Sequence, residues 1–502
     1  KVDDIYIKLS EEFGGAATRN VQIKNLHRAH PSIVAPYAKM DTRLALDLWL
    51  WQEDEIKKQD LYNIVDLEKR LFPAIFDMER RGVRVDTAKA ESAITELTVI
   101  IDKTKIELNR IAGFECNPNP SADIHKLFNP TKNDDGVWIA CDNTILSSTP
   151  SGKASIDTEA LRKMTHPAGL LILKTRKLTR CRDTFLKGHI LSHVHKGIVH
   201  PNINQVKGDR GGTSTGRLSY TQPALQQIPA RDKDIASIIR PIFIADQGHD
   251  WACWDYSQFE FRMFAHYVND PKITKMYNED PNTDYHQMVA DMTGLPRNAP
   301  NAGGPNAKQL NLAMIYDMGG ASIARMLGLP LDTGKYSFLN DKNEEVFYHK
   351  PGPEAKDIIE KYHSAIPGVK SLSNQVKTVG KARGHINSIS GRRMRYPKGF
   401  GLNKAKANMC QGSSADCAKE KTIEIYNYFK HEEPECRIIL LVHDEYNISI
   451  PRNAPNKDEI IDRIKVILET FNGVTCPIKL RIPILTDFGI GENWAAASGK
   501  GI

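Results

Sequence analysis

The sequence predicts an α+β chain, and it does so through two apolar strands that end on acids, set among long helical stretches. Residues Arg437 to Ile450 (RIILLVHDEYNISI) form an apolar, largely branched run that stops at His443-Asp444-Glu445, then a short alternating stretch. This reads as two antiparallel strands with two acids at the turn. An acid pair at the tip of a buried hairpin is costly unless something cationic neutralises it. Far upstream, Trp251 to Tyr256 (WACWDY) is another apolar run, ending on Asp255. Two strand-end carboxylates that meet in space make a site for one or two hard divalent cations. Taken alone, the hairpin reads equally as a surface turn with a solvated Asp-Glu pair.

The 502 residues allow a large core and about three domains. An apolar share of 40% and a charged share of 26% are ordinary for a globular enzyme. No run of roughly 18 apolar residues occurs, so no membrane span is expected, and no signal-peptide pattern opens the chain. It begins at Lys1 rather than a methionine, as a fragment or a processed form would. Lys and Arg number 68 against 61 Asp and Glu, a net charge of +7 that permits a polyanionic partner without demanding one. Eight cysteines without a C-x-x-C pair predict reduced thiols and a cytoplasmic setting, not a zinc site or disulfide framework.

In chain order, Tyr37 to Trp51 predicts a helix with Leu44, Leu48 and Trp51 on one face and Tyr37 and Asp41 at i, i+4. Leu67 to Arg81 predicts a second helix, GVRVD a short strand, and Ala88 to Ile111 a long helix. Asn117 to Ser155, rich in Asn, Pro, Ser and Gly, reads as an irregular insertion. Ile156 to His195 returns to helix, with Lys174, Arg176, Lys177, Arg180 and Arg182 on a face that is either solvated or follows phosphates. Thr213 to Pro229 is a polar loop carrying Arg217 and Gln226. After Asp255, a helix is expected with Ser257 as its N-cap, passing Gln258 and Glu260, and His286 lies at another helix start.

Pro305 opens a helix on which Lys308, Leu312 and Tyr316 share one face. An ammonium, an aliphatic and an aromatic in one stripe suit a nucleotide, although a core stripe with a snorkelling lysine has the same spacing. Tyr336 to Lys350 predicts a hairpin, Asp357 to Arg383 a helix, His385 to Tyr396 a strand pair, and Asn403 to Phe429 a long helix carrying Gln411. A helix over Lys457 to Phe471 and a strand over Ile478 to Asp487 complete the order, before FGIGENW.

Together these motifs resemble the family A DNA polymerases, the DNA polymerase I family, and most of all its phage members. WDYSQFEFRMFAHY around Asp255, K-x-x-N-L-x-x-x-Y from Lys308 and LVHDE around Asp444 are similar to that family's three polymerase motifs. STGRLS-x-x-x-P-x-L-Q-x-IP, NMCQGSSAD around Gln411 and the closing GENW add to the likeness, which runs in order from about Tyr37 to Trp494. The resemblance implies a right-hand polymerase: an antiparallel palm sheet with helical fingers and thumb. It places the thumb at 61–196, the palm at 197–269 and 384–502, the fingers at 270–383, and the end of a 3′–5′ exonuclease domain at 1–60.

Carried over by position, the resemblance implies that Asp255 and Asp444 hold two Mg2+ ions, with Mn2+ as a substitute, for in-line phosphoryl transfer. Lys308 would contact the incoming phosphates and act as general acid, and His286 would meet the phosphate tail. Glu260 would close the 2′ pocket together with Tyr316, with Leu312 and Gln258 beside the dNTP. His443 and Glu445 would hold the primer end, near Gln226. Arg217 and Gln411 would read minor-groove acceptors, which are nearly alike for every correct pair. The implied partners are primer-template DNA and dNTPs, in a host cytoplasm if the chain is phage-encoded, with no membrane and no identified accessory protein.

Four departures stand out. The usual triphosphate arginine is replaced by Gly304, with Arg297 a candidate substitute. The usual aromatic is Leu312, and the usual glycine after the tyrosine is Asp317. Tyr37 and Asp41 match the Y-x-x-x-D of the third exonuclease motif, but the earlier carboxylate motifs are not found in Lys1 to Pro36. The expectation is a chain that cannot proofread, within a full-length protein that can. The competing readings are a single-subunit RNA polymerase, which Glu260 argues against, and a catalytically dead DNA-binding subunit, which the intact Asp255, Asp444 and Lys308 argue against.

Overall fold

The computed structural model describes residues 3–119, 121–134, 136–149, 151–209, 211–230, 232–298, 305–334, 336–339 and 345–499. The chain divides into two compact units, Lys1–Asp66 and Leu67–Ile502. In the first, Ile5, Tyr6 and Leu9 form a small core joined by Ile33 and Tyr37. Its long helix, Pro31–Lys58, buries none of its residues, and Leu44, Leu48 and Trp51 are all exposed.

The larger unit is built on a four-stranded antiparallel sheet: β1 (His249–Tyr256), β2 (Arg437–Val442), β3 (Glu445–Pro451) and β4 (Thr486–Gly491), in the order β2-β3-β1-β4. Every residue of β2 is buried, as its unbroken apolar run requires. Trp251, Trp254 and Tyr446 fill the sheet, and Trp251 stacks on Trp494 at 6.1 Å between ring centroids. Five helices frame the site: α1 (Phe259–Val268), α2 (Tyr285–Thr293), α3 (Ala307–Ile315), α4 (Pro367–Arg383) and α5 (Ala405–His431). Most of α5 is buried, so it is a structural axis rather than a surface helix.

Several expectations need correction. Asn117 to Ser155 is not irregular: it holds a helix, Ser121–Phe128, and two short hairpins. Ile124, Phe128, Ala140, Leu146 and Ala154 pack with Leu161 and Ile172 into a core of their own. The turn residues are real, but buried apolar side chains between them order the segment. The helix expected over Ile156 to His195 breaks before Pro167, and Arg180–Leu191 adopts the wider π-helical winding. Asp357 to Arg383 is likewise two helices that meet at Pro367. The last strand begins at Thr486 rather than Ile478; Pro483 interrupts the segment before it. Ser257 does not cap α1. Its N–H donates to the Leu485 carbonyl at 2.9 Å, and the left-handed Gln258 (φ +53°) makes the turn from strand to helix.

The cationic face of residues 174–182 is largely occupied within the protein. Lys177 pairs with Asp232 and Asp234, each at 2.7 Å; Arg182 pairs with Asp183 at 2.8 Å, and Arg176 donates to the Pro118 carbonyl. A largely buried quartet, with Lys419 and Asp416 buried and Glu68 and Arg392 partly so, ties the helix Tyr62–Arg81 to α5. Glu68 accepts from Arg392 at 2.5 Å and Lys419 at 2.6 Å, and Arg392 also reaches Asp416. Each charge in it has an opposite partner, the condition for keeping ions out of water. No helix of the described residues is long and apolar enough to cross a membrane.

Candidate active site

Strand register brings the two acids together. Asp255 faces Glu445 across β1 and β3, and the Tyr256 N–H donates to the Asp444 carbonyl at 3.1 Å. Val442 and Glu445 close the β2–β3 hairpin around the two residues His443 and Asp444. His443 has φ +56°, the backbone a tight two-residue turn needs at its first position. Asp255 and Asp444 line one cleft with Gln226 and His443. Both offer hard oxygen donors, the chemistry that suits magnesium. No group of three or more His, Cys, Asp or Glu that could hold a metal ion occurs among the described residues.

Glu445 lines the same cleft but its carboxylate is bonded within the protein. It is buried, and its Oε1 accepts from the Trp494 indole at 2.6 Å and from Asn447 at 3.1 Å. Arg240, also buried, lies 3.8 Å from Oε2 with its guanidinium 4.1 Å above the Trp494 ring. This cage gives the closing GENW motif a physical role: its tryptophan holds the acid beside the hairpin turn. Sequence reasoning missed Arg240, whose signal was a lone arginine in the apolar run IASIIRPIFIA.

A second chain of bonds crosses the cleft. Gln411 on α5 donates to the Tyr316 hydroxyl at 3.2 Å, and Tyr316 donates to Glu260 Oε2 at 2.9 Å. Glu260 Oε1 pairs with Arg217, which reaches to 4.0 Å from Asp444 Oδ1. Burial and the nearby Glu260 push the Tyr316 phenol up, so it stays protonated and can donate. Gln258 lies at the start of α1 with its side-chain oxygen buried and without a hydrogen-bond partner. Leu312 is half-buried on the same face of α3.

Lys308 lies exposed at the start of α3. Its N–H bonds the Arg297 carbonyl at 3.3 Å, and Arg297 forms an ion pair with Asp284, the N-cap of α2. His286 follows in the first turn of α2. Burial, with the fields of Lys308 and Arg297, pushes its imidazole down to about 4 against the pull of Asp284. Asn311 Nδ2 lies 3.0 Å from His286 Nδ1 and the Phe261 ring meets the imidazole edge-on at 4.4 Å. With Nδ1 accepting, the neutral ring carries its proton on Nε2. Asn311 was visible only as the N of K-x-x-N-L. Gly304 lies outside the described residues. Asp317, at φ +52°, is held by Lys377 and lies 3.6 Å from Lys406.

Tyr37 and Asp41 belong to the smaller unit. Asp41 is exposed, and a hydrogen bond to it raises the Tyr37 phenol.

An antiparallel sheet that joins two carboxylates, with Lys308 and Tyr316 on and at the end of a nearby helix, is the arrangement the nucleotidyl-transferring polymerases are expected to show. The profile of DNA polymerase family A matches residues 87–496. DNA polymerase DpoZ of Salmonella phage PMBT28 is 46% identical over 99% of this chain and 80% of that protein. DNA polymerase DpoZ of Acinetobacter phage SH-Ab 15497 is 45% identical over the same shares. Among solved structures, the POL domain of Pol1 from M. smegmatis, in complex with DNA primer-template and dNTP, matches with a TM-score of 0.74 at 22% identity, covering 99% of this chain and 79% of that one. The chain belongs to DNA polymerase family A and is a template-directed DNA polymerase; enzymes of this family depend on a divalent metal.

Proposed function

We propose that the chain extends a DNA primer on a template, in phage-type replication, with Asp255 and Asp444 as the ligands of two magnesium ions. The observation that carries this is the junction of β1 with the hairpin turn, where the Tyr256 N–H meets the Asp444 carbonyl. Bound there, magnesium ions would activate the primer 3′-hydroxyl and stabilise the departing pyrophosphate. The chain's own residues do the rest. Lys308 binds the phosphates and supplies a proton to the leaving pyrophosphate, while the Nε2–H of a neutral His286 donates to the phosphate tail. Arg297, held beside them by Asp284, takes the place of the arginine missing at 304.

Glu260 and Tyr316, bonded to each other, fill the space a 2′-hydroxyl would need, with Leu312 and Gln258 completing the nucleotide pocket. Arg217 and Gln411 exchange Glu260 and Tyr316 for minor-groove acceptors when DNA arrives. His443 and Gln226 contact the primer end, and Glu445 acts by orienting the hairpin through Trp494 and Arg240. In the right-hand frame the thumb is 61–196, the palm 197–269 and 384–502, and the fingers 270–383. Residues 1–60 are the end of an exonuclease domain that does not trim primers in this chain; trimming of a mismatched primer without nucleotides overturns that part.

The test is Asp444→Asn in a primer-extension assay with binding followed by anisotropy. Extension should fall by on the order of a thousandfold while primer-template affinity changes less than about threefold. Unchanged extension contradicts the metal assignment.

A further inference from the structure

Three stretches of the sequence meet at a point that the metal and nucleotide roles leave unexplained: STGR ending on Arg217, SGRR holding Arg392, and QGSSAD starting at Gln411. Two glycines set the approach. Gly216, at φ +83°, lies so close to Arg392 that a Cβ there would stand 2.5 Å from Nε and 2.7 Å from Cζ of the guanidinium. Gly412 of α5 meets the same turn: a Cβ on it would stand 3.2 Å from the Thr215 carbonyl oxygen and 3.1 Å from the Met394 sulfur. Bare Cα atoms at both places let the backbone come this near its neighbours. The backbone just before Arg217 therefore touches both a guanidinium and the helix that carries Gln411.

The guanidinium is pinned and cannot give way. Arg392 Nε donates to Asp416 Oδ1 at 2.8 Å and Nη2 to Glu68 Oε1 at 2.5 Å. Its backbone N–H donates to the Ser388 hydroxyl at 3.0 Å, and that hydroxyl donates in turn to Asp416, which is buried on α5 beyond Gln411. A planar fork held by two carboxylates keeps one orientation, which a flexible ammonium in its place would not. The turn above it carries a working side chain. Thr213 donates to the Arg217 carbonyl at 3.0 Å, and Arg217 leaves the turn to pair with Glu260 and to reach 4.0 Å from Asp444. A shift of the turn would move Arg217 against both acids, while Gln411, bonded to Tyr316, would stay with its helix.

We propose that Arg392 is a positioning residue for the reading of the primer end: by seating the Gly216 turn against α5, it makes Arg217 and Gln411 act together on the minor groove. The inference rests on the minor-groove reading of those two residues and adds the residue that aligns them. Arg392 is only 12% exposed and is engaged by two carboxylates, so it acts through Arg217 rather than on DNA. Minor-groove acceptors are nearly alike for every correct pair, and a mismatch displaces them. The alignment therefore matters for matched primer ends and little for mismatched ones.

The test is single-turnover extension of a matched primer end, and of the same primer with a 3′-terminal mismatch, by the whole chain and its Arg392→Lys, Arg217→Ala and double variants. Lysine keeps a cation beside Glu68 and Asp416 but not the fork beneath Gly216. Arg392→Lys should slow extension of the matched end by about tenfold and of the mismatched end by less than about twofold. The double variant should fall within about twofold of Arg217→Ala, because one change has already removed what the other aligns. Gly216→Ala sets a methyl against the same guanidinium and should reproduce the selective loss; it carries the test if Arg392→Lys does not fold. Equal losses on matched and mismatched ends, losses that multiply in the double variant, or wild-type behaviour of both Arg392→Lys and Gly216→Ala overturn the proposal. A silent Arg217→Ala strikes the minor-groove reading itself, and the proposal with it.

Discussion

The acid end of the proposed site and its proposed phosphate end are built by opposite means. Asp255, Asp444 and Glu445 come from two distant segments joined by sheet register, and the protein surrounds Glu445 with Trp494, Asn447 and Arg240. Lys308, Leu312 and Tyr316 come from one short helix and its end, and Lys308 is left exposed. The acids must be fixed before any cation arrives, because repelling charges do not assemble by themselves. The cations need only face the cleft, since their polyanionic ligand supplies the attraction. Rigidity is therefore expected at one end and adaptability at the other.

The sharpest way to break this contrast is to open the Glu445 cage. Glu445→Ala leaves Arg240 buried without its acid and should destabilise the chain by about 3–5 kcal/mol. Glu445→Gln keeps the volume and an acceptor for the Trp494 indole but also removes the charge opposite Arg240, so denaturant melts of the two variants separate charge from packing. Equal losses are expected if the charge pairing dominates; a near-neutral Glu445→Gln would mean that Glu445 fills space rather than pairs charge.

On the cleft side, Glu260→Ala removes the partner of both Tyr316 and Arg217 without emptying the core. Discrimination between dNTP and rNTP, measured as the ratio of kcat/KM, should fall by about a hundredfold. Unchanged discrimination would remove Glu260 from the sugar pocket. A smaller effect concerns pH. The imidazoles of His286 and His266 are each pushed from the ordinary 6.5 down to about 4, chiefly by burial. Between those values the unfolded chain holds more protons than the folded one, so stability should drop as pH falls from 6.5 toward 4. His286→Gln should flatten that slope in melts across the window.

The least costly change is Asp317→Gly. It removes the carboxylate beside the buried Lys406 but relieves a residue at φ +52°. These effects oppose each other, and a net loss of about 1 kcal/mol is expected by thermal melting. A loss several times larger would show that the Lys377–Asp317 pair anchors the end of α3.

The sequence reveals these two ends unequally. The hairpin acids were legible because an unbroken apolar run ended by His-Asp-Glu, with a short alternating stretch after it, marks both strands and the turn, and the stripe on α3 because Lys308, Leu312 and Tyr316 repeat every four residues. The pairing of Glu445 with Arg240 and Trp494 was not legible: the partners lie 205 and 49 residues away, and no local period links them. Nor was the Asn311–His286 contact, made between two helices. The ordered core within 117–155 was hidden because turn residues outnumber the few apolar side chains that organise it. The right-hand frame came from resemblance rather than periodicity.

The most direct measurement is single-turnover nucleotide incorporation by Asp255→Asn, Asp444→Asn and the double variant, with primer-template affinity measured alongside. If the two acids serve one shared pair of cations, each single change should lower the rate on the order of a thousandfold, and the double should be less than about tenfold worse than either. Losses that multiply in the double variant, or a single variant that keeps nearly full rate, would contradict a shared metal site.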